Sequence, residues 1–99
     1  MKIDTKRNGT EFTVLPDGEV NAVTAKELDE VIVKELPGTK LLILDFEKCD
    51  YLSSAGLRVL LAAYKELKKS GGRMLLRNLG EYITEALEAT GLDGVFDIQ

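Results

Sequence analysis

Leu41-Leu42-Ile43-Leu44-Asp45-Phe46, followed by Glu47-Lys48-Cys49-Asp50-Tyr51-Leu52-Ser53-Ser54-Ala55-Gly56-Leu57, is the stretch whose reading decides the fold. The first six residues form a short apolar run bounded by polar residues, the mark of a buried strand. Beyond it, apolar residues recur at Leu57, Leu60, Leu61, Tyr64 and Leu67, the spacing of one face of a helix. A buried strand therefore feeds through a short polar link into an amphipathic helix whose first turn carries two hydroxyls. Free backbone N–H groups and the positive end of the helix dipole make such a turn hospitable to a phosphate. A serine there is either an N-cap or a phosphorylation switch, and the residues alone leave both open.

The flanking sequence extends the alternation in both directions. Lys2–Thr5 and Thr10–Leu15 are β-like runs separated by Arg7-Asn8-Gly9, a hairpin signal because Asn-Gly accepts positive φ. Pro16-Asp17-Gly18 punctuates the second run, and Glu19-Val20-Asn21-Ala22-Val23 leads into a helix. Thr24-Ala25-Lys26-Glu27 matches a capping box, in which the threonine hydroxyl and the glutamate satisfy each other's backbone donors. Leu28, Val31, Ile32 and Leu36 mark its inner face until Pro37-Gly38 stops it.

On the other side, the helix opened at Ser54 should reach Lys69 and end at Ser70-Gly71-Gly72. Arg73–Arg77 reads as a strand. Tyr82, Ile83, Ala86 and Leu87 suggest a third helix closed by Gly91, and Val95–Ile98 a last short strand. This order predicts a hairpin followed by right-handed βαβ crossovers, giving an α/β fold with one small mixed sheet and helices packed mainly on one side. Leu42, Leu44, Leu57, Leu60, Leu61, Ile83 and Leu87 are the expected core. Loops at the carboxyl ends of the strands should gather Asn21 and the Ser53–Ser54 turn on one edge.

Composition narrows the function. With 99 residues, 44 % hydrophobic and 30 % charged, residues 1–99 read as one domain, able to bury roughly 65 % of its unfolded surface without metals or disulfides. The formal net charge of −4 argues against nucleic acid or an anionic membrane as partner. No run approaches the ~20 apolar residues of a membrane span, and Met1-Lys2-Ile3-Asp4 turns polar too soon for a secretion signal. The single cysteine, Cys49, has no internal partner and is expected to be buried and inert in a reduced cytoplasmic setting. Histidine is absent, which removes the Ser-His-Asp triad, the Cys–His pair and every His-containing metal site. No glycine-rich phosphate loop of the Walker or dinucleotide type is present. The expectation is a chain with no metal, no cofactor and no catalysis of its own.

Several residues have plain structural readings. Asp50 is a natural turn former, and Arg58, Lys65, Lys68 and Lys69 read as a solvated helix face. Gly56 in a first helical turn costs about 1 kcal/mol against alanine, a cost that points to close packing at that position.

The Gly18-Glu19-Val20-Asn21 turn, the run from Leu52 to Leu61 (Leu-Ser-Ser-Ala-Gly-Leu-Arg-Val-Leu-Leu) and the terminal Thr90-Gly91-Leu92, in this order of elements, resemble the STAS domain. More narrowly, they resemble the bacterial anti-sigma factor antagonists, over nearly the whole chain. The resemblance implies the STAS fold and a phosphorylation-controlled protein-binding module. In that family the serine two positions before the glycine, here Ser54, is phosphorylated by a partner that is both anti-sigma factor and serine kinase. The unphosphorylated domain sequesters that partner and so frees a sigma factor. Asn21, Asp50, Ser53, Ser54, Ala55, Gly56 and Arg58 are the expected partner contacts, a serine phosphatase is a further expected partner, and the chain is expected to act as a monomer.

Two positions depart from the family pattern. An aspartate commonly precedes the acceptor, where this chain has Ser53, and another often sits in the turn before the first helix, where this chain has Asn21. Both changes remove a carboxylate from the neighbourhood of the acceptor. Two other readings stay open. One is a constitutive STAS scaffold, a subunit of a signalling or lipid-transport assembly that uses the same surface without phosphorylation. The other is a receiver-like domain with Asp45 as acceptor, against which stands the lack of an acidic pair after the first strand to hold magnesium.

Overall fold

In the computed structural model, which describes residues 1–99, the elements in chain order are β1 (Lys2–Asn8), β2 (Glu11–Asp17), β3 (Glu19–Val20), α1 (Thr24–Glu35), β4 (Leu41–Asp45), β5 (Tyr51–Leu52), α2 (Ser54–Lys69), β6 (Arg73–Arg77), α3 (Glu81–Thr90), a 3-10 turn (Leu92–Gly94) and β7 (Asp97–Ile98). The first two strands make the expected hairpin, with Asn8 opposite Glu11 and Gly9 at φ 62° in the two-residue turn. The turn is Gly9-Thr10, and glycine at its first position suits that geometry because positive φ costs it little, while Asn8 ends β1. The main sheet runs β1-β2-β4-β6-β7. Only the hairpin is antiparallel; β2, β4, β6 and β7 pair in parallel through helical crossovers.

Side-chain alternation in β2 buries Phe12, Val14 and Pro16, while Leu42 to Phe46 at the centre are all buried. Phe12, Val14, Leu42, Leu44, Met74 and Leu76 then form one core with Leu28 and Ile32 of α1, Leu60, Ala63 and Leu67 of α2, and Ile83 and Leu87 of α3. The helices thus cover one face of a mixed sheet, as expected. Arg7 locks the far end. Its guanidinium reaches the Glu35 carbonyl at 3.1 Å, the Glu35 carboxylate at 2.9 Å and the Thr39 hydroxyl at 3.0 Å. It also lies 4.7 Å from the centroid of Phe12. No helix is long and apolar enough to cross a membrane.

One expectation about the core needs correcting. Leu57 and Leu61 are half-buried rather than central, because the inner stripe of α2 is Gly56, Leu60, Ala63 and Leu67. One residue further round the helix is about 100° away, enough to swing a side chain to the rim. Tyr82 is exposed, stacking at a tilt on Tyr51 with centroids 5.2 Å apart. The five expected strands do join one mixed sheet, and two further short strands, β3 and β5, form a separate parallel ribbon beside it.

Candidate functional site

That ribbon builds the site. Its register pairs Glu19 with Tyr51 and Val20 with Leu52, and the Ser53 N–H donates to the Val20 carbonyl at 2.8 Å. Each strand runs straight into a helix start. Extending the register by one residue sets Asn21 beside Ser53, so the first turns of α1 and α2 emerge side by side on one edge.

The first start does not use the expected capping box. The Asn21 carboxamide oxygen accepts the N–H groups of Val23 and Thr24, both at 2.9 Å. The Ala25 N–H donates to the Asn21 carbonyl at 2.9 Å, and Val23 is already helical at φ −82°, ψ −51°. The turn therefore begins at Asn21, and Thr24 lies inside it instead of ahead of it. The threonine hydroxyl donates to the Glu19 carbonyl at 2.7 Å and accepts from the Asn21 N–H at 2.8 Å, tying the helix start to β3. Glu27 faces the Met1 amine at 2.9 Å rather than closing back on the threonine.

The second start divides the work between two serines. Ser53 is extended at φ −77°, ψ 172°, and its hydroxyl accepts the Gly56 N–H at 3.2 Å, the geometry of an N-cap. Ser54, the first helical residue, is exposed and its hydroxyl makes no hydrogen bond within the chain. Gly56 sits directly on the ribbon: a Cβ there would lie 2.5 Å from Leu52 Cδ1 and 2.8 Å from Val20 Cγ1. The missing side chain lets the helix approach β3 and β5 closely, which is what brings Ser54 to the edge next to Asn21.

Beside Ser54, the small residues Ala25, Ala55 and Ala62 and the rim residues Lys26, Asp29, Glu30, Arg58 and Val59 line a groove of about 590 Å³ between α1 and α2. Arg58 is exposed and forms no hydrogen bond or ion pair. Val23, 72 % exposed in the first turn of α1, adds an apolar contact point. A second hollow, about 520 Å³, lies at the opposite end of the same helices, where Lys40 Nζ is committed to the Ser70 carbonyl at 3.2 Å.

Among the residues singled out from the sequence, Asn21, Ser53 and Ser54 share the edge, and Ala55 and Arg58 line the adjoining groove. Gly56 is buried against the ribbon, so its part is to seat the helix. Asp50 is exposed at the opposite end of β5 from Ser53. Sequence reading missed the α1 wall of the groove, because Ala25, Lys26, Asp29 and Glu30 carry no motif. Only the interleaving of Lys26, Asp29 and Glu30 with Leu28 and Val31 on a helix marks an outer face there, while Ala25 is buried at its foot.

Two other groups are committed to structure. Asp45 is buried, and its Oδ1 accepts the Glu47 N–H and the Asn78 side-chain amide, both at 3.0 Å. A receiver acceptor needs that carboxylate open to an incoming phosphoryl group, and here it is not. Cys49 is buried with its thiol donating to the Tyr51 carbonyl at 3.4 Å. Burial pushes the thiol up, with backbone hydrogen bonds to Tyr51 and Val20 only partly opposing it, so the nucleophilic thiolate is disfavoured. No cluster of three or more His, Cys, Asp or Glu side chains is disposed to hold a metal ion.

A hairpin-led mixed sheet, three helices over one face and a free hydroxyl at the second helix start define a small α/β domain of the STAS type. A family model described as "STAS domain" matches residues 2–99, and the chain belongs to that family. It is 31 % identical over 98 residues to the anti-sigma-B factor antagonist of Bacillus subtilis, covering 99 % of this chain and 90 % of that protein. The crystal structure of an anti-sigma factor antagonist from Mycobacterium paratuberculosis matches with a TM-score of 0.87 at 26 % identity, over 98 % of this chain and 83 % of that one. The Bacillus cell fate determinant SpoIIAA in its phosphorylated form matches with a TM-score of 0.80 at 17 % identity, over 99 % and 91 % of the two chains. That last likeness is one of fold.

Proposed function

We propose that this chain is an anti-sigma factor antagonist whose grip on its partner is controlled by phosphorylation of Ser54. The observation that carries the reading is the division of labour at α2: Ser53 takes the cap, leaving the Ser54 hydroxyl exposed and unbonded beside the groove. Relationship to a named anti-sigma-B factor antagonist along 99 % of the chain supports the partner class. Unmodified, the edge and groove bind an anti-sigma factor that is also a serine kinase. That kinase brings nucleotide, metal and base; this domain brings the hydroxyl and is not itself an enzyme. A serine phosphatase returns it to the binding form, and the setting is the cytoplasm, with the domain acting as a monomer.

The physics needs no refolding. A phosphate adds about −1.5 to −2 charges at neutral pH, which the α2 N-terminus tolerates locally. An interface closing over Ser54 does not tolerate it, because a desolvated phosphate without a matching cation is costly. A hundredfold loss of affinity takes only about 2.7 kcal/mol. The test is phosphotransfer from the cognate kinase, with the modified residue mapped by mass spectrometry. Phosphate on Ser54 alone supports the reading, and phosphate on Ser53 or on neither contradicts it.

The uncharged Asn21 and Ser53 favour one second reading: a constitutive STAS scaffold that uses the same surface without modification. Absence of phosphotransfer combined with tight partner binding would select it.

A further inference from the structure

Granted the modification of Ser54 proposed above, on which this step rests, we propose that Arg58 is the intramolecular counter-ion of that phosphate. The switch then adds an anion at the helix start and at the same time withdraws a cation from the groove. Ser54 and Arg58 are four residues apart in α2, on one face of the helix. Helical side chains lean toward the N-terminus, so a long arginine reaches back over the position four residues before it. An anion N-terminal to a cation is also the favourable order of such a pair.

Arg58 is free to take this role, since it is exposed and holds no partner in the unmodified chain. It shares the groove with Asp29 and Glu30 of α1 yet forms an ion pair with neither. A phosphate carries more charge than either carboxylate and accepts the guanidinium fork in bidentate fashion. The competing cation is Lys26, on the opposite wall of the groove. Before modification the rim carries two cations, Lys26 and Arg58, and two anions, Asp29 and Glu30. Afterwards one cation is turned aside and an anion stands at the mouth. A partner presenting acidic side chains to the rim meets a surface that has gone from balanced to net negative.

The experiment installs phosphoserine at position 54 of the full chain during translation, so no kinase is needed. The phosphate is titrated by phosphorus NMR in wild type, Arg58→Ala, Arg58→Lys and Lys26→Ala. The helix dipole acts equally on all four, so differences isolate the side chains. The wild-type midpoint should lie below the ordinary second phosphate pKa of about 6. Arg58→Ala should raise it by roughly 0.3 pH unit, the equivalent of one helical ion pair. Arg58→Lys should retain part of the depression and Lys26→Ala nearly all of it. Equal midpoints in wild type and Arg58→Ala, or loss of the depression in Lys26→Ala instead, would overturn the assignment. Partner affinity of the same proteins separates this from the switch itself. Release in both wild type and Arg58→Ala with equal midpoints removes the counter-ion and leaves the switch. A depressed midpoint without release keeps the counter-ion and removes the switch.

Discussion

The two helix starts that meet on the site edge carry the same kind of side chain and use it in opposite ways. At α1 the threonine hydroxyl is spent twice, donating to the Glu19 carbonyl at 2.7 Å and accepting from the Asn21 N–H at 2.8 Å. At α2 the cap is held by Ser53, and the hydroxyl one position on is left with nothing to do inside the fold. Modifying Thr24 would break two bonds that tie α1 to the ribbon. Modifying Ser54 breaks none. A residue type is therefore a poor guide to a switch; what separates the two hydroxyls is whether the fold already uses them.

That contrast can be broken at several depths. The deepest cut is Leu60→Ala, which removes a fully buried side chain from the inner stripe of α2. It should cost about 2–5 kcal/mol in urea melts. A loss below about 1 kcal/mol would mean that the helix does not rest on this core. Next comes Gly56→Ala. A better helix former gains about 1 kcal/mol, but the new methyl would overlap Leu52 and Val20, and overpacking costs about 1–3 kcal/mol. Net destabilisation is expected; stabilisation would show that α2 does not need its close seat on the ribbon.

The caps sharpen the comparison further. Asn21→Ala deletes the acceptor of two backbone donors and should cost about 1–2 kcal/mol, while Ser53→Ala deletes one and should cost about 0.5–1. Ser54→Ala should fall within about 0.5 kcal/mol of wild type, since the hydroxyl is exposed and unbonded. Chemical denaturation of the three variants side by side ranks them, and a Ser54→Ala loss equal to that of Ser53→Ala would erase the distinction between cap and acceptor. The smallest stability effect belongs to Asn21→Asp with Ser53→Asp. Carboxylates cap as well as carboxamides and hydroxyls do, so the double variant should melt close to wild type. Its phosphotransfer rate from the cognate kinase should rise, and an unchanged rate would indicate a partner adapted to a neutral acceptor loop.

Much of this was legible in the sequence, for reasons that also explain what was not. The hairpin, the central strand and the bounds of α2 rest on strong local signals: Asn8-Gly9, an unbroken apolar run, and a stripe closed by glycines. Gly56 was readable because its cost in a first turn demands a compensating contact, and Leu52 and Val20 provide it. The capping box misled because Asn21, three residues upstream, can start the turn by itself, and sequence does not say which of two competent caps engages first. The β3–β5 ribbon was invisible because two-residue strands have no periodicity. The groove was invisible because it is made by the approach of two helices distant in sequence, through alanines that look like filler. Helix signals alone did not tell Ser53 from Ser54; the family resemblance singled out Ser54 as acceptor, and the Gly56 N–H choosing Ser53 shows which of the two is the cap.

The central claim is that Ser54 controls binding without controlling folding. It is tested most directly by the dissociation constant of the cognate anti-sigma factor for the unmodified chain and for the chain phosphorylated at Ser54, with thermal midpoints recorded on the same samples. Affinity should fall about a hundredfold, equivalent to about 2.7 kcal/mol, while the two midpoints stay within a few degrees. Equal affinities, or a loss of affinity matched by a collapse of the thermal midpoint, would contradict it.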